Sequence, residues 1–259
     1  MTSSLRPSLA LLALCGVAAC QTAPNPDSGF LTDYTRLQTR DGTIRASIRE
    51  HRDEARAAGI ERVWLEPAVL VDDAGAGLND QERRMVLREV DRQVCYEASE
   101  RFTLADRPDG AARVRTAVVD IRPTGAAGSG IAAVANVAIP GPGTFRVPGT
   151  TGGLAAEAEL LDALGGQVAA MAWARNANVV GVDSPSLSRV GDALQMAEPF
   201  ADAAVDAFAP ADRRARAIPN PDPCARYGPR IQPVGFATRL VTGLYVPAVN
   251  TGTPEPEAR

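Results

Sequence analysis

The chain has 259 residues, enough for one generous domain or two small ones, and a hydrophobic content of 45%, ordinary for a protein that buries a core. Its formal charge is −4, every one of its 27 basic residues is arginine, and aromatic residues make up 5%. Phosphate contacts need concentrated positive charge and base stacking needs aromatic platforms, so no nucleic-acid partner is expected.

Residues 1–19 have the three-part layout of a secretory signal. Arg6 supplies a thin positive region, and residues 9–17 are an apolar run too short to span a bilayer. Val17-Ala18-Ala19-Cys20 then resembles a lipobox. In that chemistry the thiol receives a diacylglyceryl group and a peptidase cuts before it, which requires small side chains at the two preceding positions. Cys20 is therefore the expected lipidation site and first mature residue, and loss of Arg6 takes the formal charge from −4 to −5. Acyl chains contribute about 0.8 kcal/mol per buried CH₂ to membrane binding. Gln21, where retained lipoproteins carry Asp, resembles the arrangement in Gram-negative lipoproteins sent to the outer membrane, here with the body facing the periplasm. Nothing after residue 20 is long and apolar enough to cross a bilayer. Residues 20–28 read as the lipidated cysteine and its tether, 29–209 as a single domain, and 210–259 as a Pro-rich tail.

The run Ser28-Gly29-Phe30-Leu31-Thr32-Asp33-Tyr34-Thr35-Arg36-Leu37 resembles the opening motif of an uncharacterised bacterial lipoprotein family, the domain of unknown function thirty-three-thirteen. Arg62-Val63-Trp64-Leu65-Glu66-Pro67 is similar to that family's first strand, and a weaker likeness continues through residues 157–166. Because the family has no established activity, the resemblance implies location and fold rather than function.

Residues 43–58 are polar and helix-favouring, with Ile44 and Ile48 one turn apart, which predicts a helix. Residues 62–71, rich in Val and Leu, read as a strand. Asn79 with Glu82 forms a capping box that opens a long helix to about Phe102, with Val86, Val90, Val94 and Ala98 as its buried stripe. Residues 113–122 and 131–139 are expected strands, separated by a turn over 123–130 and followed by a loop to 153. Glu157 and Glu159 alternate with Ala158 and Leu160, and Gly165-Gly166 turns the chain into a strand over 168–175. A last helix is expected from about Ser186 to Phe208, with Val190, Leu194, Ala197, Ala201, Ala204 and Phe208 inside and a kink at Pro199. The order β-α-β-β-β-α implies an α/β (α+β) fold with a mixed, largely antiparallel sheet and helices packed on one face. Residues 210–234 are Pro-rich and basic, an amphipathic stretch follows over 235–245, and the tip reads as disordered.

Candidate chemistry is sparse. The single His51 on a polar helix and the lack of paired thiols at ligand spacing argue against a transition-metal site, and no nucleophile elbow is present. Gly125, Gly128 and Gly130 lack the Lys and Ser/Thr of a phosphate loop, so a turn is the better reading. Asp72, Asp73 and Asp80 precede the long helix without an EF-hand pattern, which favours solvation and capping over calcium. Glu157, Glu159 and Asp162 on one strand could suit acid–base work on sugars, but the preferred reading is the wet face of an antiparallel sheet. No catalytic residue, metal or cofactor is assigned. Cys95 and Cys224 remain once Cys15 leaves with the signal and Cys20 takes lipid. In an oxidising compartment pairing is preferred over two separate buried thiols. Phe236, Leu240, Val241, Leu244 and Tyr245 share one helical face that either folds back on the sheet or docks a partner, preferably protein. The chain thus reads as a lipid-anchored, non-catalytic envelope module that binds another envelope protein. A small-ligand binder using the open sheet face or the 140–153 loop is the alternative, and a glycan hydrolase the weaker third.

Overall fold

The computed structural model describes residues 22–43, 45–125, 128, 144–178, 180–181 and 183–251. Cys20, the strand expected over 131–139 and the C-terminal tip from 252 lie outside them. In chain order the elements are β1 (Gln38–Thr39), β2 (Ala46–Arg52), α1 (Glu54–Ala58), β3 (Arg62–Leu65), β4 (Val69–Leu70), α2 (Asp80–Arg101), β5 (Thr103–Leu104) and β6 (Ala112–Arg122). There follow β7 (Thr144–Phe145), β8 (Gly153–Leu161), β9 (Gln167–Asn176), β10 (Val180–Gly181), α3 (Gly191–Phe208), α4 (Pro233–Thr242) and α5 (Pro247–Asn250).

Eight strands form one sheet in the order β1-β2-β9-β8-β6-β3-β5, with β4 also paired to β6. The ladders β1/β2, β2/β9, β9/β8 and β8/β6 are antiparallel, whereas β3 and β4 run parallel to β6. Parallel neighbours need a long crossover, and α2 supplies it between β3/β4 and β6. The expected mixed, largely antiparallel architecture is present, and the expected elements that fall on described residues, β3, α2, β6, β8, β9 and α3, follow in the predicted order.

Both long helices cover one face. The capping box of α2 forms as the sequence predicts, with Glu82 N donating to Asn79 Oδ1 and Asn79 N to Glu82 Oε2, both at 2.9 Å. Val86, Val90, Val94 and Ala98 are all buried against the α3 stripe, and the rings of Trp173 on β9 and Phe200 on α3 meet edge-on at 5.8 Å. Glu97 on α2 carries the cost of this packing. Its burial, reinforced by Asp202, Glu100 and Glu198, pushes its carboxyl up to about 7. Between pH 4.5 and 7 the unfolded chain releases this proton while the folded one keeps it, so ionisation increasingly opposes folding as pH rises. Glu97→Gln is expected to raise stability at pH 8 by about 1–2 kcal/mol after screening and to change nothing at pH 4; urea midpoints at the two pH values check this.

Three local expectations are corrected. Residues 46–52 are a strand, not helix: seven residues of β2 pair with β9, and this ladder outweighs a modest helical preference. Only Ile48 is buried on β2, and its charged side chains are matched in Glu50–Arg40, Arg49–Asp27 and Arg52–Glu54 pairs. Ile44 lies outside the described residues. The strand expected over 62–71 breaks at Glu66-Pro67-Ala68, where proline offers no N–H and Ala68 N instead donates to Asp91 Oδ1 at 2.7 Å. The last helix begins at Gly191 rather than Ser186, with no side-chain cap.

Candidate functional site

Alternation along β8 sends Ala156, Ala158 and Leu160 into the core beneath the helices, and turns Glu157 and Glu159 to the opposite face. That face is not wet. Glu157 and Glu159 are 1% and 0% exposed, because residues 28–36 cross the sheet as a strap and cover them. The Ser28 and Tyr34 hydroxyls both donate to Glu157 Oε2 at 2.6 Å, and Ser28 N donates to Oε1 at 3.3 Å. Thr32 N and Oγ1 donate to Glu159 Oε2 and Oε1 at 2.8 and 3.1 Å. Arg115 and Gln167 complete Glu159 at 2.5 and 2.8 Å. All four carboxylate oxygens are engaged from within the chain, so neither glutamate is presented to a sugar. Asp162 is equally committed: Leu164 N, Gly166 N and Arg56 donate to it at the hairpin turn, and the Gly166 bond first, then Arg56, lower its pKa.

Each residue of the strap has a local task. Gly29 takes a φ of +85° that lets the chain turn onto the sheet. Leu31 is buried, and the Phe30 ring lies 4.6 Å below the Arg115 guanidinium. Asp33 closes the next turn by accepting from Thr35 N, Thr35 Oγ1 and Arg36 Nε. Burial, then the Glu157 bond, pushes the Tyr34 phenol up. The stretches that carry the family resemblance at 28–37 and 157–166 therefore meet in space as strap and receptor. Tyr34→Phe removes the hydroxyl shared by Leu31 N and Glu157, and is expected to lower stability by about 1–3 kcal/mol. A lower urea midpoint together with new protease cleavage within 22–40 would register the loosened strap.

Fixation begins even before the strap. Asn176 N, at the end of β9, donates to Thr22 Oγ1, which itself donates to Arg45 O, both at 3.0 Å. Asp27 pairs with Arg49 at 2.5 Å. The segment read as a short tether is bonded to the body from Thr22 onward. It is bonded at one particular end of the sheet, where β6 and β9 finish and β8 and β2 begin, since Arg122 pairs with Gly153, Gly153 with Asn176, and Ala46 with Arg175. The first turn of α3 sits at that same end: Gly152 N donates to Asp192 Oδ2 at 2.6 Å, and Arg146 grips both Asp192 oxygens at 2.8 Å.

The tail is stapled across the helices. Cys95 and Cys224 are joined, with S–S 2.14 Å and Cα–Cα 5.9 Å, the pairing preferred on sequence grounds. Beside the bond, Arg230 lies 4.5 Å over the Tyr96 ring, donates to Ser99 Oγ at 2.7 Å and pairs with Asp222 at 3.0 Å. Beyond it, α4 divides the expected docking face. Phe236, Leu240 and Val241 are 70%, 77% and 79% exposed, but Tyr245 is buried and Leu244 half-buried. Tyr245 N donates to Pro185 O at 2.8 Å, which folds the end of the segment into the core and removes Tyr245 from any surface.

No group of three or more His, Cys, Asp or Glu side chains placed to hold a metal occurs among the described residues. An open groove of about 420 Å³ runs beside β1 and β2, lined by Arg40, Glu50, His51, Arg52, Glu54 and Asp206. Its arginines are already paired, Arg40 with Glu50 and Arg52 with Glu54. His51 stands on a strand here, not on a helix. Its Nε2 is buried without a partner, and burial, then Arg36, lowers its pKa. The strap covers the open sheet face around Glu157 and Glu159; the 140–153 loop, the other surface expected for a small-ligand binder, lies partly outside the described residues. The contacts between strap and sheet are not readable from local pattern, because partners such as Tyr34 and Glu157 stand 123 residues apart.

No curated protein matches the chain. Among solved structures it is similar to the PelC dodecamer of Paraburkholderia phytofirmans, at 13% identity and a TM-score of 0.34, over 65% of this chain and 99% of that one. A point variant of the same dodecamer aligns at 12% identity and a TM-score of 0.35, over 61% of this chain and 95% of that one. Over residues 26–204, which include strap, receptor strands, α2 and most of α3, the chain matches the family described as Protein of unknown function (DUF3313), and it belongs to that family.

Proposed function

We propose that the protein is an envelope lipoprotein, anchored through acyl chains on Cys20 and acting as a binding or assembly module rather than as a catalyst. One observation carries the reading: the chain is bonded to the sheet from Thr22 onward, two residues past the lipobox cysteine. Two residues reach at most about 7 Å, so an acylated Cys20 brings the Asn176 end of the sheet directly to the membrane surface. Such close fixation suits a module that presents a defined face to another envelope component. The outer membrane, periplasmic face, is the location that Gln21 favours. Cys20→Ser tests the anchor. The variant is expected to accumulate unprocessed or to leave the membrane fraction, and a Ser variant that is processed and sediments as before would refute it.

A further inference from the structure

Helix α4 is built inside out. Its small and polar positions face inward: Gly235 is buried against α5, at Val249 O and the Asn250 side chain, and Arg239 donates to Ser184 Oγ at 3.1 Å. Val234, Phe236, Leu240 and Val241 are left 63–79% exposed on the other side. Such an arrangement costs hydration free energy unless something covers it.

The last turn of α4 is tied to the loop that opens α3. Besides the Arg239 bond, Tyr245 N donates to Pro185 O and Ser186 Oγ donates to Tyr245 O, both at 2.8 Å. That loop lies at the end of the sheet where Thr22 is bonded to Asn176. The one charged side chain of the helix is turned inward, so its outer face is apolar and uncharged. A ten-residue helix is about 15 Å long and presents a face about 10 Å wide, far short of the ~800 Å² per partner that a stable protein interface needs. As a supplement to an existing lipid anchor, however, a patch of this size suffices.

We infer that the exposed face of α4, through Phe236, Leu240 and Val241, rests in the interfacial region of the same leaflet that holds the Cys20 lipid. The inference rests on the anchor reading above. The N-terminal lipid fixes one point of the body, and α4 fixes a second, which sets the tilt of the sheet relative to the membrane. Because the face is uncharged, its insertion requires no anionic lipid and is insensitive to salt.

The test uses the full lipidated chain carrying Leu240→Trp, reconstituted into phosphatidylethanolamine vesicles containing brominated phosphatidylcholine. Read as the difference from the wild type with its Trp64 and Trp173, the new indole is expected to be quenched at a depth of about 5–10 Å, equally in low and high salt. Phe236→Trp reads the same face and should behave alike, which guards against one variant misfolding. Vesicle flotation is scored first. Protein that does not float overturns both the anchor and this inference. Protein that floats with an unquenched indole overturns the inference alone. A blue shift in detergent that grows with protein concentration assigns the face to a second copy of the chain, and also overturns it.

Discussion

Asp192→Ala is expected to lower folding stability by about 3–5 kcal/mol, because it breaks a buried ion pair from one side. Both partners of the Arg146–Asp192 pair have fully buried side chains. The carboxylate accepts two bonds from Arg146 and one from Gly152 N, while Asp192 N donates to Thr124 Oγ1 at 3.1 Å. Alanine strands a guanidinium charge and a backbone N–H in a site that water does not reach. Asp192→Asn keeps the shape but not the charge, and is expected to fall between alanine and wild type. The double change Arg146→Met with Asp192→Leu removes both charges and should cost less than Asp192→Ala, since desolvation opposes a buried pair even when it is well made. Urea unfolding of the four proteins measures all of this. The pair also joins the residues preceding β8 to the first turn of α3, so Asp192→Ala should raise protease sensitivity at the Asn176 end of the sheet first.

Cys224→Ser is the second large effect. The bond closes 129 residues of chain, and the loss is expected to be about 2–5 kcal/mol, or roughly 5–15 °C in melting temperature for a domain of this size. A reductant should shift the wild type by the same amount and leave the variant unmoved. The Arg230 contacts with Tyr96, Ser99 and Asp222 are held in register by the bond, so the variant should also gain cleavage sites between residues 210 and 232.

The core is legible in the sequence because it is written in short-range pattern. The Asn79–Glu82 capping box, the Val86–Val90–Val94–Ala98 stripe and the alternation through Glu157 and Glu159 each rest on neighbours within a turn or two, and each appears where expected. Cys95 and Cys224 are legible by elimination, being the thiols left after signal and lipid are assigned. Local pattern does not show what covers what. Glu157 and Glu159 alternate like a solvated strand, yet Ser28, Thr32 and Tyr34 arrive from more than 120 residues away to bury them. Polar residues 46–52 look helical until seven of them find β9. The amphipathic period of α4 is visible, but periodicity is symmetric about the question of which face points inward, and the expected face divides: Tyr245 is buried, while Phe236, Leu240 and Val241 are exposed. The family motif at 28–37 is explained by the same geometry. It marks the segment whose Ser28, Thr32 and Tyr34 lock residues 28–36 onto the sheet at Glu157 and Glu159.

Under the proposed anchoring, the folded body is lashed to a membrane through Cys20 with almost no slack. Mass spectrometry of the mature N-terminal peptide from membrane-purified protein addresses this most directly. The expected result is a chain that begins at Cys20 and carries diacylglyceryl and acyl mass on that residue. A mature chain that begins elsewhere, or an unmodified Cys20 thiol, would contradict it.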